Sequence, residues 1–439
     1  MANGEFTELR SRENDKSDGL RESAASFRSL LPPEGWPKIR TLPTSTATEW
    51  YENNKDLPQI KEFLDSLRLE NIEPWKGFTC DGQVDLAIHD YQDDEGAPVC
   101  EMTKAALNLI TKMSDSQKSA TVFDSVEADE IRIWSNPEFY VNPGGLRLDE
   151  CCKEIQIAVH DLLKASLSPE GYKKVQGCCL INGFLGELIN GQAVLNAHSY
   201  NFRLFGRPHT IEPWAFTFFG HHLCIAVFIQ GGRMVIGPTF MGAEPDYIDE
   251  GPYAGLRLFN TEEIVSLKLM RSLPATQRKL AATHHSVFPA DLPSGRWVPH
   301  DERHVGGARQ DNRIVPYEGC PVSLFDESQK GDIVQLFMAF NEYYPASVLE
   351  HRKQVFVSHI NETYFAWIGN CENDEPYYFR IHSPVAFMEF DFHAGVFLVN
   401  ATPDKCHIHT INRIPNGGDY GRALLDTYQR AKSERGGLS

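Results

Sequence analysis

The stretch LCIAVFIQGGRMVIGPTF, residues 223–240, constrains the fold more than any other part of the chain. Two β-branched, apolar runs flank Gly231-Gly232, and a glycine pair between such runs predicts a tight hairpin of two buried strands. Four more regions read as strand by aromatic and β-branched content: AVLNAHSYNFRLFG (193–206) with PWAFTFFG (213–220), TYFAWIG (363–369), YYFRIHSPVAFMEFDFHAGVFLVN (377–400) and CHIHTINRI (406–414).

Helical periodicity dominates elsewhere. In 48–67, Trp50, Leu57, Ile60, Phe63, Leu64 and Leu67 share a face. DECCKEIQIAVHDLLKASLSPEGYKKV (149–175) predicts a helix or helix pair broken at Ser168-Pro169. MTKAALNLITKMSDSQKSATVF (102–123) is echoed at 261–283, where Leu267, Met270, Leu273 and Gln277 repeat the pattern of Leu109, Met113 and Gln117. The echo extends to GGLRL (144–148) and AGLRL (254–258), with Thr261 as the expected cap and Glu262 and Glu263 in the first turn. Two copies are too few for a solenoid, but they fit a duplicated element.

These patterns give an α+β class with a central, mainly antiparallel sheet, curled or barrel-like in one variant. Residues 1–45 read as a flexible, proline-punctuated lead-in and 46–439 as one catalytic-type domain, helical over about 46–180 and β-rich over about 181–430. At 439 residues, two or three lobes are equally compatible with the usual ~100–200 residues per domain.

A net charge of −18 argues against nucleic acid, which requires a basic surface to displace counterions. The longest apolar runs fall short of the ~20 residues of a membrane-spanning helix, and the charged start has no apolar signal core. A cytoplasmic protein is expected. The ten cysteines include the vicinal pairs Cys151-Cys152 and Cys178-Cys179, without CxxC or zinc-finger spacing, so reduced thiols are expected.

Histidines embedded in the strand-like segments carry the chemical signal. His407 and His409 alternate, which in a strand places both on one face about 7 Å apart. His382 lies in FRIHSP, and Glu389 and Asp391 alternate in MEFDF. His221 and His222 open the hairpin, where strand geometry would let only one of them enter a given site. Together His221, His222, His382, His407 and His409 form the candidate ligand set for a divalent ion, with iron favoured and zinc or manganese as alternatives.

Glu389 and Asp391 are the candidate acid–base residues, and Arg380 and Arg413 could grip a carboxylate or phenolate substrate. The competing assignment makes the histidines hydrogen-bonded core residues and the arginines partners of Glu389 or Asp391. The aromatic set Trp214, Phe216, Phe218, Phe219, Phe365, Trp367, Tyr377, Tyr378 and Phe379 would suit a flat organic substrate, or is simply core. Ser199 and Ser383 lack a nucleophile elbow. His284, His285, His300 and His304 fall in a polar loop whose default is solvated surface, although long loops also act as lids. No phosphate loop or dinucleotide fingerprint is present.

PWAFTFFGHHL, GPTFMGAEP, TYFAWIG, YYFRIHSPVAFMEFD and HIHTINRIPNGGDYG together resemble the family catalogued as domain of unknown function 3500, found in bacteria and fungi. The resemblance runs from about residue 100 to 430 and includes IWSNP, GLRL, LLKASLSPEGY and QDNRIVPYEG. Its shared blocks fall on His221, His222, His382, Glu389, Asp391, His407, His409 and Arg413, and it implies no particular reaction.

The expectation is therefore a metal-dependent enzyme, foremost a non-heme iron-type oxygenase acting on an aromatic or polyketide-like small molecule. A zinc hydrolase or lyase with the same shell is the alternative, and a non-catalytic binding protein the third. The expected partner is a small organic substrate, with neither nucleic acid nor membrane. Oligomeric state is left open, a homodimer being one option.

Overall fold

In the computed structural model, which describes residues 27–36, 39, 42–67, 73–136, 145–298, 301–372 and 375–436, the runs flanking Gly231-Gly232 pair as an antiparallel hairpin near the middle of a twelve-stranded sheet. Helices α1 (Ala47–Asn54) and α2 (Pro58–Leu67) precede it. The 48–67 segment is thus two helices. Pro58 starts the second, because its ring suits a first helical turn but cannot continue a preceding helix. Leu57 falls in the break and is exposed.

Most of the remaining chain is built twice. Helices α3 (Val99–Lys112) and α4 (Asp115–Thr121) lead to the short strands β1 (Val122–Phe123) and β2 (Leu146–Arg147). Next come α5 (Lys153–Ser166) and α6 (Pro169–Leu188), then a four-strand meander: β3 (Tyr200–Phe205), β4 (Trp214–Gly220), β5 (Leu223–Gln230) and β6 (Arg233–Ala243). The same order returns in the second unit. It consists of α7 (Asn260–Ser272), α8 (Ala275–Ala281), β7 (Ala282–His284), β8 (Cys320–Pro321), α9 (Glu327–Phe340) and α10 (Ala346–Ser358). The second meander is β9 (Tyr364–Gly369), β10 (Tyr377–His382), β11 (Phe387–Phe392) and β12 (Ile408–Arg413), followed by α11 (Arg422–Gly436).

Strand pairing repeats as well. β1 is parallel and β2 antiparallel to β3; β7 is parallel and β8 antiparallel to β9. The order β1-β3-β4-β5-β6-β12-β11-β10-β9-β7 makes the two meanders meet at β6 and β12, antiparallel to each other, about a pseudo-two-fold axis. Gly145 and Gly319 hold matching places, with φ of +103° and +97°. A Cβ at either would meet a backbone carbonyl of the neighbouring strand, Phe202 at 2.5 Å or Phe365 at 2.2 Å, so both positions exclude a side chain.

The helix echo in the sequence is therefore structural, but the GLRL echo is not. Leu146-Arg147 forms β2 after the first helix pair, whereas 254–258 precedes the second pair. Thr261 does not cap α7; Phe259, at φ 65°, is the capping position, and Glu262 and Glu263 are buried against Lys174 and Lys405. Helices α7 to α10 also lie within the stretch expected to be β-rich. β3 begins at Tyr200, and the chain after Phe392 leaves the sheet as a loop.

The sheet is open, ending in β1 and β7, so the barrel-like variant does not hold. Its helix-covered face contributes Phe202, Phe216, Phe218, Trp367, Tyr377, Phe379, Phe390 and Phe392 to one core with α3, α5, α6, α7 and α9. Most of the aromatic set is thus packing. The other face is covered by irregular segments and α11, through clusters around Phe228 and Leu424 and around Phe78, Val305 and Phe387. All ten cysteines are free thiols. Among the described residues, no helix is long and apolar enough to cross a membrane.

Candidate metal centre

The α+β core places β6, β12, β11 and β10 side by side, and their register lines up Gly242, His409, Asp391 and Tyr378 in one row on the loop-covered face. His407 sits two residues before His409 at the start of β12. His222 arrives from the other unit, in the turn between β4 and β5. The three Nε2 atoms form a near-equilateral triangle: 3.0 Å from His222 to His407, 3.1 Å from His222 to His409 and 2.9 Å from His407 to His409. All three rings are buried.

Hydrogen bonding alone does not explain this triangle. The ring nitrogen Nδ1 of His407 lies 2.7 Å from the Ala394 carbonyl, which can only accept, so Nδ1 carries a hydrogen and Nε2 is the nitrogen that can present a lone pair. An outer hydrogen bond of this kind is how proteins orient a ligating histidine. Burial and the neighbouring imidazoles hold His222 and His409 well below the usual histidine range, so both stay neutral and able to ligate. With metal–nitrogen bonds of about 2.1 Å, edges near 3.0 Å subtend about 90° at a common ion; a tetrahedral ion would spread them to about 3.4 Å. The arrangement is one face of an octahedron.

Local structure explains how the rings converge. His222 has φ 57°, a left-handed conformation that is costly for a residue with a side chain and that persists where the surroundings enforce it. Its backbone N–H donates to Asn136 Oδ1. His221 donates from Nδ1 to Asn182 Oδ1 on α6 at 2.8 Å, and its ring stacks on His222 at 3.9 Å. The two rings therefore do not diverge to opposite faces, because the pair occupies a turn rather than a strand. His222 enters the triangle and His221 braces it. Gly242 makes room: a Cβ there would lie 2.9 Å from the His222 ring and 3.1 Å from the His409 ring.

His382, the remaining candidate ligand, stands apart. It pairs with Phe387, four residues along β10 from Tyr378, or about 13 Å at the rise of a strand, and packs against Tyr317 and Phe387. Ser383 accepts the N–H groups of Val385 and Ala386 in the adjoining turn.

Both candidate arginines bind protein carboxylates other than those expected. Arg380 pairs with Glu318, and Arg413 with Asp311 and Asp419 while also donating to the Gly306 and Gly307 carbonyls. Arg413 is thereby a clamp on the 301–313 segment, not a free substrate anchor.

That segment supplies residues the sequence reading placed at the surface. His304 and Glu302 are buried over the triangle; His300 lies outside the described residues. His304, His393 and His409 have ligating atoms within 4.8 Å of one another, and so do Glu302, Asp391 and His393. The His393 ring lies tilted against that of His409, with centroids 3.8 Å apart. Arg303 joins the carboxylates, donating to Asp391 at 2.8 Å and Glu302 at 2.7 Å.

Glu389 accepts from Tyr378 at 2.6 Å and from the Val305 and Gly306 amides, and contacts His304 at 3.5 Å. Burial acts to raise its carboxyl, but His304, Tyr378 and Arg380 outweigh it and hold the pKa at about 2. For His304 the balance is reversed: burial lowers it, and Glu389 with Asp391 raises it above the usual range. Asp391 is raised, chiefly by burial, against the pull of Arg303. The signal for Glu302 and His304 in the sequence was the tight DERHVGG composition, whose two glycines allow close approach to Glu389 and Asp301.

No curated protein and no solved structure matches the chain. A family profile matches residues 95–422, which span both units and the whole histidine cluster, so the chain belongs to the family described as protein of unknown function, DUF3500.

Proposed function

We propose that the protein is a metal-dependent enzyme, a non-heme iron-type oxygenase acting on an aromatic or polyketide-like small molecule, with His222, His407 and His409 as ligands. The observation that carries this reading is the buried triangle of Nε2 atoms at 2.9–3.1 Å. A facial set of three protein ligands with open positions opposite suits octahedral iron or manganese more than tetrahedral zinc. Bound iron would supply dioxygen activation at those positions.

The chain's own groups supply the rest. Phe240 lies against the His409 ring at 4.9 Å and Tyr378 against His304 at 6.1 Å, and both, themselves buried, shield the histidines from water. Glu389, 3.5 Å from His304, raises the affinity of that imidazole for a proton beside the triangle. Arg303 fixes the orientation of Asp391 and Glu302.

A second reading, a zinc hydrolase or lyase, is favoured by Asp391, a buried carboxylate with a raised pKa that could act as general base. Elemental analysis of the as-purified protein with oxygen-uptake measurements separates the readings. Iron with substrate-dependent uptake is expected. Stoichiometric zinc without uptake would favour the hydrolase, and absence of bound metal would contradict both.

A further inference from the structure

Beyond the triangle lies a second set of buried atoms with unspent ligating capacity. Asp391 Oδ2 and His393 Nε2 are 3.2 Å apart, yet neither has a hydrogen-bond partner among the described residues. Both atoms are therefore buried beside each other with hydrogen-bonding capacity left unused. Both side chains are almost fully buried, at 0% and 3% exposure, and an unmet buried carboxylate oxygen and imidazole nitrogen are costly in protein interiors.

Glu302 completes the set: one ligand atom each from Glu302, Asp391 and His393 lies within 4.8 Å of the others, and Glu302 Oε1 is 3.7 Å from His393 Nδ1. Its Oε1 accepts the Ala394 N–H and its Oε2 an Arg303 N–H, which leaves each oxygen a lone pair. Arg303 likewise takes only Asp391 Oδ1, so the guanidinium orients both carboxylates and leaves Oδ2 open.

We propose that this is a two-ion centre, in which a second divalent cation binds Glu302, Asp391 and His393 next to the ion on His222, His407 and His409. The proposal rests on the first site being a metal site and adds a partner to it. Two observations place the sites as neighbours: the contact of the His393 and His409 rings, with centroids 3.8 Å apart, and the shared set of His304, His393 and His409. The mixed donors also differ usefully, since three imidazoles and a two-carboxylate, one-imidazole set differ in charge and can favour different ions.

The test is a titration of chelator-stripped full-length protein with Mn(II) alone, counting bound ions after desalting and recording electron paramagnetic resonance. The unmodified protein is expected to bind two ions per chain and to show exchange coupling between them. His393→Gln and Asp391→Asn are each expected to bind one ion without coupling, whereas His407→Ala removes the first. A single uncoupled ion at saturation, lost in His407→Ala and kept in His393→Gln, would overturn the second site and leave the first standing. No bound ion in the unmodified protein would overturn both. The coupling readout needs no substitution, so it stands even if the Asp391 variant fails to fold.

Discussion

The two units share their order of helices and strands but not their loops, and the site lies where the loops differ. Between β5 and β6 the chain turns at Gly231-Gly232, whereas between β11 and β12 it runs through 393–407, which carries His393 and His407. Between β7 and β8 of the second unit it runs through 285–319, which carries Glu302, Arg303 and His304. The first unit contributes His222 from a turn whose counterpart, 383–386, holds no histidine. A duplicated, hydrophobic scaffold thus sets strand positions, and unequal connections bring ligands to them. Function on loops held by a rigid sheet is a general outcome of this division.

If that division is right, substitutions in the unequal loops should remove metal and leave folding intact, and those in matched positions should do the reverse. The largest effect is expected for His407→Ala. Losing one of three ligands should lower metal affinity by more than the ~100-fold typical of an outer-sphere change, with unfolding of the metal-free protein little altered. Equilibrium dialysis and denaturant unfolding check the two halves of that statement.

Gly145→Ala and Gly319→Ala should each cost about 3 kcal/mol or more, by similar amounts, because each forces a Cβ against a strand carbonyl in a left-handed backbone. Unequal costs in urea unfolding would show that the two units do not depend on the same contact.

His89 gives a pH test of the scaffold away from the ligands. Its ring is buried, 3.2 Å from the Asn416 carbonyl, and burial, with Arg352 nearby, lowers its pKa from 6.5 to about 4. The unfolded chain therefore binds the proton first as pH falls, and stability drops between pH 6.5 and 4 by about 3 kcal/mol at 1.36 kcal/mol per unit. Metal-free His89→Gln should show a shallower fall over that window.

The smallest effect is expected for Gly242→Ala, whose Cβ would meet the Ile408 carbonyl at 2.7 Å and crowd the His222 and His409 rings; metal affinity should fall about 10–100-fold. Unchanged affinity would mean that the triangle does not need its observed spacing.

Much of this was legible in the sequence. Periodicity located the hairpin at Gly231-Gly232, the break at Ser168-Pro169 and the repeated helix pair, because burial of one face writes itself as spacing. Alternation placed His407 and His409 on one side of a strand. His382 looked equivalent to them because its distance from the row depends on register, which no local pattern encodes. His304 and Glu302 were hidden for the opposite reason: their segment is irregular and polar, and becomes interior only when Arg413 and Glu389 bind its backbone. Glu318, the partner of Arg380, and Asp311, one partner of Arg413, similarly come from loops far away in sequence.

The most direct measurement is anomalous diffraction from crystals of the as-purified protein, collected across the iron, manganese and zinc edges. A peak about 2.1 Å from Nε2 of His222, His407 and His409 is the expected result. No anomalous density there, with the three rings instead hydrogen-bonded to solvent, would contradict the metal centre.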